Sequence, residues 1–463
     1  MRKFLAVGMM LWMGVASLVA QEPSQVPPPP QGPRVPFGAS HQGYEAGNPP
    51  LPPRPPVPLN AFPPPGTPGA PYMVQNIGGE PGNSNVPPTM AGFFHIVDEY
   101  SPPCPVVWFS TEALVWWAKD GPLPLPIVTT STTPLAATAG NIGGAGTQVL
   151  FGNSPQSFGN MNGIRATLGG WLDFERLLGV ELSAFGCERR ATNYFVNSPA
   201  PGAPPLYVPR LNALTGAEGS YVVSRFGFYP IPIFGNQGNI RFTSDSQLWG
   251  AEFNGYGGLV RCGWCNLDML LGFRYLDLQE NMYLNTSFLI PGVGTGISTE
   301  DRFRTRNHFY GGQLGAKACF FWGPVSLDLI GKCALGETRE IVNVLGSSTT
   351  TLVAPGFPAP GNYPGGIFSQ RTNIGNQERD LFTFVPSAQM KLSVYLTRCV
   401  RATAGYDFLY WNQVARPGNQ IDRSVNNTQF LGAPLVGPAR PLPLFRTSDY
   451  FIHGVSGGIE LTF

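Results

Sequence analysis

The last fourteen residues, YFIHGVSGGIELTF from Tyr450 to Phe463, decide how the rest of the chain is read. Phe451, Val455, Ile459, Leu461 and Phe463 share one parity, interrupted by His453 and Gly457. Gly454, Ser456, Gly458, Glu460 and Thr462 occupy the other. A period of two with one apolar and one polar or tiny face is the mark of a half-buried strand. A closing strand that ends on an aromatic residue suits a bacterial outer-membrane barrel, with Phe463 offered to the barrel-assembly machinery. A soluble sandwich can end the same way, so the remaining residues must separate the two.

Composition narrows the choice. Charged residues make up only 12% of the 463, against about a quarter in ordinary soluble domains, while Gly (58) and Pro (49) are abundant. The net charge of +1 gives no reason to expect a nucleic-acid partner. Aromatic residues reach 12%, which suits the interfacial girdles of a barrel as well as a sandwich core.

The amino terminus predicts the compartment. Arg2 and Lys3 precede the uncharged run Phe4 to Leu18, and Ala20 offers a cleavage point before Gln21, with Ala16 as an alternative. Residues 1–20 therefore read as a secretory signal peptide, too short for a membrane span. Residues 21–105 carry 25 of the 49 prolines, including Pro27 to Pro30 and LPPRPPVPLN from Leu51 to Asn60. Such a segment favours extended, solvated polyproline II, and reads as a disordered periplasmic extension, either a spacer or a tether contacting the cell wall. No later stretch is long and apolar enough for a spanning helix, so membrane residence requires strands.

From residue 106 the chain resolves into ten strand candidates: 107–118, 161–174, 179–190, 247–261, 266–281, 305–320, 325–340, 379–396, 400–412 and 449–463. Short connections at 175–178, 262–265, 321–324 and 397–399 alternate with long ones at 119–160, 191–246, 282–304, 341–378 and 413–448. Tight turns at one end and long loops at the other predict an all-β fold, an antiparallel up-and-down transmembrane β-barrel spanning 106–463, with outer-membrane lipid around it. A hairpin near Ser220 to Phe228 would raise the count to twelve. Ten strands leave a lumen narrow enough for side chains to fill.

A resemblance to a known family is carried by the first strand, the loop after it and the next hairpin. Glu112, Trp116, Trp117 and Lys119 lead into Gly121-Pro122-Leu123-Pro124 and Val128-Thr129-Thr130. Gly146-Thr147-Gln148-Val149-Leu150-Phe151-Gly152, Gly170-Trp171-Leu172-Asp173 and Gly179-Val180-Glu181 come next. The pattern resembles the planctomycete-type outer-membrane β-barrel family, porin-like and without an assigned biochemical role. Ala113 and Val115 depart from it by being small. The resemblance implies a barrel in the outer membrane and carries no catalytic or ligand residues across.

Parity selects the side chains expected to line the lumen: the acids Glu112, Asp173, Glu181, Glu252, Asp268, Asp328, Asp407 and Glu460, and the bases Arg165, Arg274, Lys317, Lys332, Lys391 and Arg401. Opposite charges in so narrow a space should pair, because an unpaired charge away from water is costly. A charged constriction selecting small solutes is the functional counterpart, with the excess of acids hinting at cations. His308 and His453, with Asp245, Asp301 and Asp449 near the same level, raise the alternative of an outer-rim hydrolase. Loop-mediated adhesion or reception is another.

Among the seven cysteines, Cys262 and Cys265 flank a tight turn and form the candidate disulfide. Their setting lacks the strand-to-helix context of a redox motif and the second pair of a zinc site. The glycines near 140–146 and 255–258 do not make a dinucleotide loop. No cofactor, metal or catalytic residue is expected. The expected activity is porin-like passage of small solutes or a structural role in the envelope, not enzymatic.

Overall fold

The computed structural model describes residues 107–226, 237–291, 295–351 and 359–463. The segments expected to be signal peptide and proline-rich extension, with Cys104, His41 and His95, lie outside them. In chain order the strands are β1 (Val107–Ala118), β2 (Pro126–Ser131), β3 (Thr147–Gly152), β4 (Asn160–Trp171), β5 (Leu178–Cys187), β6 (Arg190–Ser198), β7 (Leu206–Asn212), β8 (Glu218–Ser224) and β9 (Gln237–Arg261). They continue with β10 (Cys265–Ile290), β11 (Thr295–Trp322), β12 (Val325–Thr350), β13 (Gly361–Pro364), β14 (Gly375–Tyr395), β15 (Val400–Ala415), β16 (Ser424–Val425) and β17 (Thr447–Thr462).

The wall closes on itself as β1-β4-β5-β9-β10-β11-β12-β14-β15-β17, with β17 returning to β1 and every pairing antiparallel. Ring closure leaves none of these strands with an unpaired edge over its paired length, which lipid would not tolerate. β6 and β13 belong to the same sheet outside the ring: β6 continues the line of β5 along β9, and β13 pairs with the end of β12. The ring therefore has the ten strands read from the sequence. The hairpin anticipated near Ser220 exists as β7–β8, but it sits in a separate sheet with β2, β3 and β16.

Side-chain direction changes character along the strands. On β11 the outward residues from Trp322 to Tyr310 include the exposed Leu314, and the inward ones include Lys317 and Gln313. At about 3.3 Å per residue and a tilt of roughly 40°, that run rises about 30 Å, the depth of the hydrocarbon core plus its girdles. Above Tyr310 the pattern inverts. Arg306, Arg304 and Arg302 now point outward, and buried Phe303 points in. β9, β10 and β12 invert likewise, with Phe242, Met282, Leu284, Val342 and Val344 turned inward. The strands at 25 to 28 residues thus outrun the sequence reading, which ended them where the outward face ceased to be apolar.

The outer half of the barrel is filled by what the loops return to it. Leu123, Leu125 and Ile127 from the first loop pack with Leu206, Val208 and Val223 of the β7–β8 hairpin and with Ile367, Phe368, Ile421 and Val425. A second apolar layer lies below it, built by Leu114, Trp116, Met161, Leu248, Leu278, Phe309, Trp411 and Tyr450. Trp411 is fully buried there and donates its Nε1–H to Thr338 Oγ1 at 3.0 Å. Trp411→Ala is expected to lower barrel stability by about 3–5 kcal/mol, read as an earlier loss of heat-modifiable gel migration and a lower urea midpoint.

Candidate functional site

The chemistry that distinguishes this barrel lies in the lower lumen. Glu112 on β1 accepts from Arg165 Nη1 at 2.9 Å, and Arg165 Nη2 reaches Asp407 on β15 at 2.9 Å. Lys391 on β14 also pairs with Glu112. Trp116 supports the group: its Nε1–H donates to Asp407 at 3.3 Å, and its ring lies 5.4 Å from the Arg165 guanidinium carbon. Glycine makes room for β1 here. A Cβ on Gly454 would stand 2.6 Å from the Trp116 Cα, and one on Gly458 would stand 2.0 Å from the Thr111 carbonyl.

A second group faces the first. Glu252 on β9 pairs with Arg274 at 2.9 Å and Lys332 at 2.5 Å, and accepts from Gln313 at 3.0 Å. Arg274 also donates to Ser387 Oγ on β14 at 2.9 Å. Arg165, Glu252, Arg274 and Asp407 all touch one cavity of about 30 Å³, room for about two water molecules. Toward the short turns, Lys317 meets Asp328 at 3.5 Å and Arg401 meets Glu460. Cys319 donates to Asp328, and Tyr256 to Glu181 at 2.8 Å.

Of the fourteen residues predicted to line the lumen, Asp173 is the exception. β4 ends at Trp171, and Asp173 lies in the turn beyond it, its carboxylate accepting from the Leu177 and Leu178 amides at 2.9 and 2.8 Å. A turn carboxylate continues the strand's alternation in sequence, so parity alone could not exclude it. Parity also missed Arg261, whose Nη2 reaches Asp268 at 2.5 Å from the last residue of β9. With Asp173 removed and Arg261 added, acids and bases balance, and the excess behind a cation preference disappears. Cys262 and Cys265 hold their Sγ atoms 3.4 Å apart across the turn, as free thiols.

Two further anchors were invisible to periodicity because one partner sits on a loop. Arg416, just past β15, is fully buried with Glu280 of β10, with Nε–Oε2 at 2.8 Å and Nη2–Oε1 at 2.7 Å. It also donates to the Asp120 and Lys119 carbonyls, tying the first and last outer loops to the wall. Asp301, high on β11 and well above Tyr310, accepts from the Ile367, Phe368 and Ser369 amides and from Ser369 Oγ. That cluster latches the loop after β13 into the mouth.

The rim residues do not assemble. His308 sits on β11 and His453 on β17, strands that are not neighbours. Each accepts or donates at Nδ1 to a tyrosine hydroxyl, Tyr275 at 2.9 Å and Tyr406 at 2.8 Å, within the outward aromatic belt. Asp449 pairs with Lys119, Asp245 with Arg189, and Asp301 holds a loop. Among the described residues no cluster of His, Cys, Asp and Glu is suited to a metal ion.

A closed, antiparallel, ten-stranded wall, apolar toward lipid and with paired charges in its lower lumen, defines an outer-membrane porin-like barrel. The chain belongs to the family described as "Putative beta barrel porin-7 (BBP7)", which matches residues 108–463. Solved structures similar to it include the outer membrane protease OmpT from Escherichia coli, at 9% identity over 79% of this chain and 98% of that one, TM-score 0.35. The transport unit of the autotransporter AIDA-I from Escherichia coli aligns at 8% identity over 77% and 90%, TM-score 0.21. The P. putida toluene transporter TodX aligns at 8% identity over 78% and 91%, TM-score 0.20. At such scores none of the three bears on function. No curated protein matches the chain.

Two consequences are measurable. Arg165→Met leaves Glu112 and Asp407 buried without their shared cation and is expected to cost about 3–5 kcal/mol, read from the urea midpoint of the detergent-folded protein. In the outer head, burial raises the pKa of Asp301 and also that of Glu340, against the hydrogen bonds that lower both. A carboxyl whose folded pKa is raised contributes stability that is complete below its unfolded value, near 4, and is lost as pH rises through the folded value. Thermal stability of the head is therefore expected to fall as pH rises above about 4, and Asp301→Asn should flatten that slope in thermal scans.

Proposed function

We propose that this porin-like barrel is closed at rest and acts as a structural envelope component, carrying an ordered outer head as its contact surface. One observation carries the reading: among the described residues, side chains and loops pack into the lumen at three levels. Balanced charges occupy its lower part, an apolar layer crosses its middle, and the loop core fills its mouth. Small-solute passage would require that core to withdraw. The head supports a scaffold role because it has its own five-stranded sheet and buried core.

The proposed role is non-catalytic, since the histidines and acids at the rim serve the aromatic belt and the loop anchors. Export through the signal peptide of residues 1–20, recognition of Phe463 by the assembly machinery, and cell-wall contact by residues 21–105 complete the proposal. A disulfide between Cys262 and Cys265 in the oxidising compartment is part of it.

Single-channel recording in planar bilayers tests the closed state. The folded protein is expected to insert without steady ohmic current at low voltage, and a stable open conductance in most insertions would overturn the reading.

A further inference from the structure

The outward wall of β9 to β12 carries an arrangement that the lumen and the head leave unused. Directly above the aromatic belt of Trp249, Tyr275 and Tyr310, arginines replace the lipid-facing apolar residues. Arg306 binds Asp277, with Nη2–Oδ2 at 2.6 Å, and Arg189 binds Asp245 at 3.1 Å. In both pairs the acid is hidden and the base is not. The Arg306 side chain is 46% exposed over an Asp277 that is 0% exposed, and Arg189 is 45% exposed over an Asp245 at 11%. Trp249 Nε1 covers Asp277 further, donating at 3.1 Å.

Arg304, one outward position higher on β11, has no carboxylate partner among the described residues. Its Nη2 donates to the Tyr283 hydroxyl at 3.4 Å, and its Nε lacks a partner among the described residues. Arg339, paired with His308 across β11 and β12, adds a guanidinium 54% exposed, which shares Glu378. Beyond Arg339 the outer rim turns acidic: Glu378 and Asp380 on the adjoining β14 flank that guanidinium, and across the ring Asp449 of β17 stands against Lys119.

A guanidinium presents five N–H donors in a fixed plane, and a carboxylate tucked beneath it takes two or three. With the Arg306 and Arg189 side chains nearly half exposed, the donors left over lie at the depth of the lipid head groups, where a phosphate can accept them bidentately. We propose that this arginine-rich wall is a docking site for the phosphorylated head group of an outer-leaflet lipid. The buried aspartates hold the arginines in place without cancelling the surface they present, and the aromatic belt below sets the depth at which the acyl chains begin.

Native mass spectrometry of the detergent-folded chain tests this, using phosphatidic acid as the probe and phosphatidylcholine as its uncharged-surface comparator. Phosphatidic acid is expected to bind at lower concentration than phosphatidylcholine, and inorganic phosphate at equal concentration should not displace it. The double variant Arg304→Gln/Arg339→Gln strands no buried acid, and should weaken phosphatidic acid binding roughly 30-fold with phosphatidylcholine unchanged. Lys119→Gln, on the other wall, should leave both unchanged. Equal affinity for the two lipids, or an unaltered preference in the double variant, would sink the proposal. If that variant fails to regain heat-modifiable migration, the wild-type salt dependence decides: phosphatidic acid binding that is insensitive to salt excludes an arginine–phosphate contact.

Discussion

Backbone hydrogen bonding in lipid is the constraint on which everything else in this molecule depends. Water is absent from the hydrocarbon, so each strand must find partners on both sides, and only a closed ring supplies them. Closure on ten strands then sets a radius small enough for side chains to meet across the lumen. The lower interior is a consequence of that radius. Charges placed inside lie within reach of one another, and the cost of holding them from bulk water is met by pairing: Glu112 with Arg165 and Lys391, Glu252 with Arg274 and Lys332. Glycine at 454 and 458 lets β17 approach β1 closely enough for that packing.

The same constraint explains why the strands invert. Within the hydrocarbon the outer face must be apolar and the inner face may be charged. Above it the outer face meets water and the inner face meets folded loops, so polarity exchanges sides on a strand that never breaks. β11 shows the exchange most plainly, from outward Leu314 and inward Lys317 to outward Arg304 and inward Phe303. An uninterrupted ladder carries the wall beyond the membrane and makes it the cup in which the loop core sits. Arg416 and Asp301 fasten that core by burying one charge each against wall or loop.

Neutral filling below and apolar filling above have a common consequence for function. Both place packed side chains where an open pore would run, and the cavity lined by Arg165 and Glu252 holds about 30 Å³. Charge that is not consumed inside appears on the outer wall, where arginines stand over hidden aspartates on one side of the barrel. The membrane boundary therefore marks both the end of the apolar surface and the start of the surface most able to recognise an anionic head group.

How much of this the sequence determined by itself depends on what periodicity measures. Alternation reports which way a side chain faces, so the ten wall strands and the short turns were legible from parity. It failed at Asp173, where a turn keeps the rhythm after the ladder has stopped, and at the upper ends of β9 to β12, where the apolar face changes sides and the pattern looks like a loop. Which charges pair, and that Arg416 reaches Glu280 136 residues away, depended on ring closure. The loops' return into the mouth was equally a tertiary outcome, because burial there is created by long-range packing and leaves no local period to read.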